Sequence, residues 1–473
     1  MTHSSAAPRG RLPLPRLLAF SLGSVPAALM ATMMGVYLPP FYAGKLGTTL
    51  TAVGATIGMV RLTDLGVDLL LGWVMDKTRT PAGRYRPWFL AALPVLWISL
   101  YQVFNPPADA DLGYLFTWYI LLYVAYSMLV LAHSAWAAAL SGDYHERSRM
   151  FGWMLGVGVL ASSMLQATPI LTHGAIKPAD PGSMSVLGWV MILVSTVTVL
   201  AAVVSTPERL APLAHKQRTS LKDYLAIVSN KSMLRLIGAD LFLALGPGAS
   251  APIYLFFFHE SKGFSLAAVS LLLIPYTGAG MIGAPLWGRV AQRLGKHRTV
   301  QLAAVGYAIT QTILMLVPAG LFWPTFLSMF SVGFCGSAFV VLVRAMVADV
   351  ADELRLNTGQ ERAGVLYALV TMTQKFGSSV AVAIIYPILD LVGFDPKPGA
   401  ANTPEAIRGL EMCYVFAPIL LVVIGAVCLI GYKLDAQRQS EIRAALDEME
   451  SRDFDSAQEG LVGAGENVAP AAE

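Results

Sequence analysis

Charged residues are scarce in this sequence. Of its 473 residues only 13% are Asp, Glu, Lys or Arg, whereas 55% are hydrophobic, and the mean hydropathy is +0.60. Soluble domains contain about 25% charged residues, so this composition excludes a set of ordinary soluble domains and indicates a polytopic membrane protein. The net charge of +3 is too small to suggest a nucleic-acid partner.

Cysteines are few, and the common catalytic signatures are absent. The three cysteines, Cys335, Cys413 and Cys428, lie far apart in apolar runs, which favours small buried side chains over a disulfide or a metal site. The sequence has no phosphate-binding loop, H-E-x-x-H, C-x-x-C or nucleophile elbow. We therefore expect no enzymatic activity and no cofactor. A membrane enzyme or a sensor that does not transport is the remote alternative.

Long apolar segments are what the chain has in abundance. A helix needs about 20 mainly apolar residues to cross a bilayer. Twelve segments qualify, at 17–42, 50–75, 87–105, 113–140, 150–172, 186–206, 234–258, 265–288, 299–318, 322–350, 363–392 and 409–432. The first runs far beyond the apolar part of a signal peptide, so we expect no cleaved signal. The sequence thus predicts an all-α membrane protein with twelve transmembrane helices.

A polar link at 207–233 divides the twelve segments into six and six. It predicts an N-terminal six-helix bundle at 1–206, a C-terminal bundle at 234–433 and a polar tail at 434–473. The tail has Ile442, Leu446 and Met449 at helical spacing among charges. We expect a short helix there, in solvent or at the membrane edge, followed by disorder at 456–473.

The basic residues predict how the chain is oriented in the membrane. Both tails and the loops that follow the even-numbered segments contain 24 of the 33 Lys and Arg residues, whereas the opposite loops contain five. Basic loops remain on the cytoplasmic side. We therefore expect cytoplasmic termini in a multi-pass protein of a cell membrane, such as the bacterial inner membrane, and we expect a monomer.

Arg61, Asp64, Asp68 and Lys375 are charged residues near the middle of apolar segments, where a charge costs about 2.5–3.5 kcal/mol. Arg61, Asp64 and Asp68 are spaced by three and four residues, so they share one helical face. Two carboxylates one turn apart offer oxygen ligands to Na⁺, and their proximity also favours a proton. Lys375, near the middle of segment 363–392, needs a counter-charge. The two aspartates can supply it from the first half of the chain, across the boundary between the two halves. The alternative is an Arg61–Asp64 pair that only locks two helices.

Two basic loops half a chain apart support a duplicated architecture. The sequences are GWVMDKTRTPAGRYRP at 72–87 and GRVAQRLGKHRTV at 288–300. The first resembles the signature loop of the major facilitator superfamily, whose halves are parallel repeats with the binding site between them at midplane. The loop is interpreted either as a topological signal or as a latch that holds the two halves together on the cytoplasmic side.

Three stretches narrow this resemblance to one family. They are RLTDLGVDLLLGWVMDKTRTPAGRYRPW at 61–88, YSMLVLAHSAWAAALSGDYHERSRM at 126–150 and ADVADELRLNTGQERAGVLYALVTMTQKFGS at 348–378. They are similar to helix 2, helix 4 with its D-Y-x-E-R-x-R loop, and the entry to helix 11 of the glycoside–pentoside–hexuronide:cation symporters, the melibiose-permease family. The resemblance implies a symporter of Na⁺ or H⁺ with a small organic solute, a sugar or glycoside.

The resemblance also implies roles for individual residues. Asp64 and Asp68 match the family's cation-site carboxylates, which would be the metal ligands if the ion is Na⁺. Ser127 matches a cation-site hydroxyl and Tyr126 precedes it. Lys375 faces this site, with Arg61 as a further charge partner. The polar amide of melibiose-type members is a valine here, Val67, which leaves Na⁺ and H⁺ both open.

The solute-binding positions depart from those of the melibiose-type members. Where those members have charged residues, this chain has Ala28, Val130 and Leu155, which predicts a less polar cavity. An amphiphilic cargo such as a lysolipid or an aromatic metabolite is therefore the alternative to a sugar. The main candidate solute ligands are His133, Trp136, Gln374, Asp240, Tyr37 and Trp153, and the weaker candidates are Tyr254, Tyr276 and Trp287. The alternative to a ligand role for Asp240 is a pair with Arg235 near the cytoplasmic face. We expect Arg344 and Asp349 to form a structural pair near the inner end of their segment.

Overall fold

Twelve long helices make up most of the computed structural model of the protein. The model describes residues 12–140, 144–173, 175–176, 181–206, 208, 230–358, 363–397, 399–435 and 437–449. The helices are α1 (Leu14–Lys45), α2 (Leu50–Lys77), α3 (Arg86–Phe104), α4 (Leu112–Leu140), α5 (Tyr144–Gln166), α6 (Pro181–Ser205), α7 (Lys231–Ser261), α8 (Leu266–Leu294), α9 (Lys296–Leu316), α10 (Phe322–Thr358), α11 (Ala363–Leu391) and α12 (Pro404–Cys428).

Ten of these helices are long and apolar enough to cross a membrane. The other two are α2 and α5, which are as long but contain charged residues, among them Arg61 and Asp64 in α2 and Glu146 in α5. The twelve helices coincide with the twelve predicted segments, so the all-α prediction is confirmed. The bounds differ most where a helix continues beyond its apolar part. Helix α5 begins six residues before the predicted segment, and α10 ends eight residues after it.

Helices α1 and α7 are irregular at matching places in the two halves. Helix α1 contains a π-helical stretch at Met33–Tyr37, and α7 contains a 3₁₀ turn at Ala251–Ile253 and a π-helical stretch at Phe257–Ser261. Prolines explain the irregularity, because a proline has no N–H to donate and clashes with the preceding turn. Pro39 and Pro40 follow the first stretch, and Pro252 lies in the 3₁₀ turn.

The two sets of six helices share a core at one end of the molecule. One cluster of buried side chains joins the first six helices to the ends of α7, α9 and α11 and the beginnings of α8, α10 and α12. A second cluster occupies the opposite ends of the second six helices alone. The molecule is therefore closed at the end where α1 joins α2, which the basic-residue distribution predicts to face away from the cytoplasm.

Direct contacts between α2 and α11 hold this end closed. Thr51 Oγ1 donates to Asp390 Oδ2 at 2.7 Å. A Cβ placed on Gly54 would lie 2.7 Å from Tyr386 Cβ, so only glycine permits this approach of the two helices. Tyr386 OH in turn donates to Pro252 O, at 3.3 Å, and so joins α11 to the irregular part of α7.

The tail forms helix α13 at 437–449, as predicted, but it packs against the protein. Ile442 and Leu446 are buried in the second cluster, and Arg443 pairs with Asp352 of α10 at 2.9 Å. The helix is therefore not free in solvent, because the extension of α10 past its apolar part gives this amphipathic helix a surface to cover. The predicted disorder at 456–473 lies outside the described residues.

Two expected ion pairs are replaced by other contacts. Asp349 accepts from Lys296 Nζ at 2.6 and 2.7 Å, because the joint between α8 and α9 is a single residue that brings Lys296 beside α10. Arg235 donates to the carbonyl of Gly431 at the end of α12. The predicted Arg344–Asp349 pair is therefore wrong, and the alternative Arg235–Asp240 pair does not form.

Candidate functional site

Helix α2 places three charged side chains inside the molecule, as their spacing predicts. Arg61 and Asp64 are buried, with 9% and 5% of their surface exposed, and the Asp68 side chain is 16% exposed. Their face is turned toward α4 and α11, the helices that pack on either side of α2. The charges are thus shielded from lipid, which is how such residues are tolerated in a membrane.

Lys375 of α11 contacts both carboxylates. Its ammonium lies 3.4 Å from Asp64 Oδ2 and forms a closer contact with Asp68 Oδ2. Ser127 of α4 donates to the second oxygen of Asp64 at 2.8 Å. Asp68 Oδ1 is buried without a hydrogen-bond partner among the described residues. An ion pair therefore joins the two sets of six helices here, and one buried carboxylate oxygen is left for a further ligand.

Arg61 lies beside the charge group formed by Asp64, Asp68 and Lys375, where backbone and aromatic contacts hold it. Its Nη2 donates to the carbonyl of Met34 at 3.3 Å, and Tyr119 OH donates to the same carbonyl at 3.0 Å. Met34 lies in the π-helical stretch of α1, where the usual helical hydrogen bonding is disturbed and carbonyls become available to side chains. The guanidinium also lies over the ring of Tyr123, 6.0 Å from its centroid. Arg61 therefore connects α1, α2 and α4 beside the carboxylates.

A cavity of about 250 Å³ opens next to this charge group. It lies between the two sets of six helices, at the irregular parts of α1 and α7. Apart from three charged residues its lining is apolar or aromatic: Ala31, Met34, Gly35, Arg61, Asp64, Tyr123, Tyr126, Gly248, Ala251, Pro252, Lys375 and Val382. The predicted cation-site residue Tyr126 is thus part of the cavity wall, beside Asp64.

A second, smaller cavity of about 60 Å³ lies deeper in the second six helices. Ala251 lines both cavities, so the two are neighbours. Four tyrosines surround the smaller one, Tyr254, Tyr276, Tyr307 and Tyr414. The sequence analysis included Tyr254 and Tyr276 among its weaker candidates but not Tyr307 or Tyr414. Tyrosines in separate helices show no spacing signal, and only packing brings them together.

The sequence analysis predicted His133 and Trp136 as solute ligands, but in this structure both lie outside the lining of the two cavities. His133 is 3% exposed, its Nε2 lies 3.0 Å from the carbonyl of Phe20, and its ring stacks on Phe89. Trp136 is fully buried with its ring edge against Phe20. Both lie on the α4 face that packs against α1 and α3, which explains why neither lines a cavity described above.

The other four main candidates for solute ligands also lie outside the lining of the main cavity. Gln374 donates to Asp240 at 3.0 Å, so these two form a pair between α11 and α7. Tyr37 is fully buried in the π-helical stretch of α1, and Trp153 is 39% exposed on α5. Of the residues predicted for the site, the structure therefore brings together Asp64, Asp68, Ser127, Tyr126, Lys375 and Arg61.

The signature loop between α2 and α3 has a partner that sequence reasoning missed. Glu208, just beyond α6, accepts from the backbone N–H groups of Tyr85 and Arg86 at 2.9 and 3.0 Å, and so caps the beginning of α3. Gly83 has φ +117°, and a Cβ there would lie 2.3 Å from the Glu208 carboxylate. These contacts stay within the first six helices, so they do not form the predicted latch between the halves.

Comparison with known proteins gives relatives along nearly the whole chain. The isoprimeverose transporter of Lactiplantibacillus pentosus is 24% identical over 442 residues, 91% of each protein. The sodium-dependent lysophosphatidylcholine symporter 1-B of Danio rerio is 21% identical over 497 residues, 95% of this chain and 92% of that protein. These relatives confirm the resemblance to the glycoside–cation symporters.

The fold and a family model agree with these relatives. The crystal structure of nucleoside transporter NupG superimposes with a TM-score of 0.65 and 14% sequence identity, over 89% of this chain and 100% of that one. That likeness shows the fold. The model of the MFS/sugar transport protein family matches residues 19–436. The chain therefore belongs to the MFS/sugar transport protein family, and it is an integral multi-pass membrane transporter rather than an enzyme.

Proposed function

We propose that this protein is a secondary symporter that moves Na⁺ or H⁺ together with a small organic solute. The observation that supports it most directly is the contact of Lys375 with both Asp64 and Asp68 across the two sets of helices. All the residues of this group come from one chain, so we expect a monomer to be active. We further propose that it resides in a cell membrane with both termini in the cytoplasm.

The ion pair suggests how cation binding is coupled to movement. Na⁺ prefers oxygen ligands, and the carboxylates of Asp64 and Asp68 are the oxygens that the Lys375 ammonium now contacts. A cation that binds both carboxylates competes with Lys375, and its binding weakens the contact between α2 and α11. Because the cation then binds better to the conformation in which this contact is broken, it shifts the conformational equilibrium toward that state.

We propose a sugar or glycoside as the solute. The main cavity, of about 250 Å³, exceeds an engineered cavity of roughly 150 Å³ that binds benzene but lies below the usual range for drug-sized ligands. It suits a monosaccharide-sized group, whereas the acyl chain of a lysolipid would have to extend outside it. Tyr123 and Tyr126 offer hydroxyl groups and ring faces to a sugar.

An amphiphilic cargo is the second candidate. It is supported by the apolar lining around the charge group and by a lysophosphatidylcholine symporter among the relatives. An apolar wall leaves sugar hydroxyls without partners as they leave water, which disfavours an unmodified disaccharide. The two candidates predict that different ligands stabilise the protein against thermal unfolding, so one panel of ligands distinguishes them.

The test is uptake into proteoliposomes under an imposed Na⁺ or H⁺ gradient, preceded by a thermal-stability screen. The panel contains monosaccharides, aryl glycosides, free disaccharides and lysophosphatidylcholine. We expect cation-dependent stabilisation by a monosaccharide or aryl glycoside, and uptake that disappears in Asp68→Ala. The matched control is Asp395→Ala, an exposed carboxylate in the loop after α11. Gradient-driven uptake by Asp68→Ala at the normal rate would contradict the proposal.

A further inference from the structure

A second buried carboxylate lies in the other half of the molecule, away from the proposed cation site. Asp240 of α7 is 3% exposed. Its Oδ1 accepts one hydrogen bond, from the Gln374 amide at 3.0 Å. Its Oδ2 is buried and has no hydrogen-bond partner among the described residues. An ionised carboxylate would usually be satisfied by several donors or by a cation, and Asp240 has a single neutral donor.

The helices around Asp240 pack too closely for its charge to be solvated. A Cβ on Gly377 of α11 would lie 3.1 Å from the carbonyl of Leu241. A Cβ on Gly425 of α12 would lie 3.1 Å from the carbonyl of Ala239. Glycines on both sides thus bring α11 and α12 against the residues next to Asp240, so the protein itself must provide the surroundings of this carboxyl group.

The charged groups of the neighbouring helices do not neutralise Asp240. On α11, the Lys375 ammonium contacts Asp64 and Asp68 instead. On α7 itself, Arg235 donates to the carbonyl of Gly431. Arg344 of α10 is exposed and acts on Asp240 only through space, and the titratable group that α12 presents nearby is Cys428, next to Gly238. Among the described residues no cation forms an ion pair with Asp240.

We propose that Asp240 is a proton-binding site, separate from the Asp64–Asp68 site, and that its carboxyl group is protonated in this conformation. A proton on the carboxyl group removes the charge that its surroundings leave uncompensated. The proton comes from water when the conformation exposes the site, and it returns there when α11 moves away and the carboxyl group is solvated again.

Helix α11 connects this proton site to the cation site. Gln374, the hydrogen-bond donor to Asp240, directly precedes Lys375, which contacts Asp64 and Asp68. Any movement of α11 that separates Lys375 from the carboxylates therefore also changes the hydrogen bond to Asp240. This link rests on the proposed symport function, whereas the protonation of Asp240 does not. The protonation can therefore be tested even if the protein proves not to be a symporter.

Infrared difference spectroscopy of the purified full-length protein tests the protonation directly. We expect a pH-dependent carbonyl band of a protonated carboxylic acid, shifted in D₂O, that disappears in Asp240→Asn. The matched control is Asp349→Asn, which removes a buried carboxylate that is paired with Lys296 and should leave the band unchanged. A wild-type spectrum at neutral pH without the band, or a band of full intensity in Asp240→Asn, would overturn the proposal.

A second variant keeps the test valid if Asp240→Asn does not fold. The Gln374 amide donates to Asp240, and such a bond favours the ionised form. In Gln374→Leu the band should therefore persist to higher pH than in the wild type. The readout is the pH at which half of the band is lost. A midpoint that stays the same or moves to lower pH in Gln374→Leu would contradict the assignment, whatever the transport activity of the variant.

Discussion

At the scale of single residues, the two carboxylates of α2 differ in their surroundings. Asp64 accepts from the Ser127 hydroxyl as well as from Lys375, whereas Asp68 relies on Lys375 and has one buried oxygen without a partner. A hydrogen bond to one oxygen of Asp64 orients the carboxylate so that its other oxygen points to the shared ligand. In the proposed cation site, the role that we assign to Ser127 is to orient Asp64 for the cation.

Removal of the Ser127 hydroxyl should weaken cation binding. A hydrogen bond to a charged group contributes about 1.5–3 kcal/mol, so we expect Ser127→Ala to raise the cation Kd by about tenfold or more. The measurement is a Na⁺ and pH titration of thermal stability. The control is Ser99→Ala, because the buried Ser99 donates to the carbonyl of Val95 in its own helix. Equal effects of the two substitutions would show that the first one acts only through packing.

The contact between Lys375 and Asp68 should appear as a coupling energy. The pair lies partly buried between the two sets of helices, and residues in contact commonly show couplings of about 0.5–3 kcal/mol. We expect Lys375→Met and Asp68→Asn each to lower the free energy of unfolding, and the double variant to lose less than the sum. Denaturation of all four proteins in detergent measures this. Strictly additive losses would mean that Lys375 acts mainly on another group.

At the scale of helices, the approach of α2 to α11 depends on one glycine. A Cβ on Gly54 would lie 2.7 Å from Tyr386 Cβ, whereas a Cβ on Gly72, further along the same helix, would contact nothing within 4 Å. Leucine at position 54 must therefore separate the two helices at the closed end of the molecule. Overpacking of this kind costs about 1–3 kcal/mol, which is enough to move the conformational equilibrium.

We expect Gly54→Leu to favour conformations that are open at the end where α1 joins α2. The measurement is the rate at which an impermeant maleimide, added on that side, labels Ala251→Cys in the cavity wall, in a background whose native cysteines are replaced by serine. Labelling should be at least about tenfold faster with Gly54→Leu and unchanged with Gly72→Leu, because a shift of 1.4 kcal/mol is a factor of ten. Equal labelling in both would exclude this role of Gly54.

At the scale of the whole molecule, alternating access requires the closed end to open. Thr51 and Asp390 belong to different halves and their side-chain oxygens are 2.7 Å apart. A disulfide between Thr51→Cys and Asp390→Cys should therefore form readily, since the two side chains already meet. We expect oxidation to abolish transport and a reducing agent to restore it, with each single substitution active. Normal transport by the oxidised protein would mean that this end does not need to open.

The distribution of basic residues, 24 on one side against five on the other, predicts that both termini are cytoplasmic. A reporter that is active only outside the cytoplasm should give no signal when it is fused after Glu473. The same reporter inserted in the loop after α11, near Asp395, should be active, because that loop is on the opposite side. A strong signal from the C-terminal fusion would reverse the orientation.

The fold class and the central charge group could be predicted from the sequence alone. Twelve long segments, ten of which form helices apolar enough to cross a membrane, leave few alternatives to a helical bundle, because backbone groups in lipid must be hydrogen-bonded within a helix. Arg61, Asp64 and Asp68 are brought to one face by helical periodicity alone. The partner of Lys375 followed from charge balance, because a lysine at that depth needs an anion and the two aspartates are charges of the right sign and depth.

The polar side chains that face the cavity could be identified only from the packing of the helices. Sequence periodicity does not distinguish an α4 face that packs against α1 and α3 from one that faces the cavity. The contacts of His133 and Trp136 with Phe20 therefore could not be predicted from the sequence. Four tyrosines on four separate helices surround the second cavity through packing alone. The partner of Asp240 was likewise Gln374 rather than Arg235, because contacts between helices far apart in sequence depend on packing.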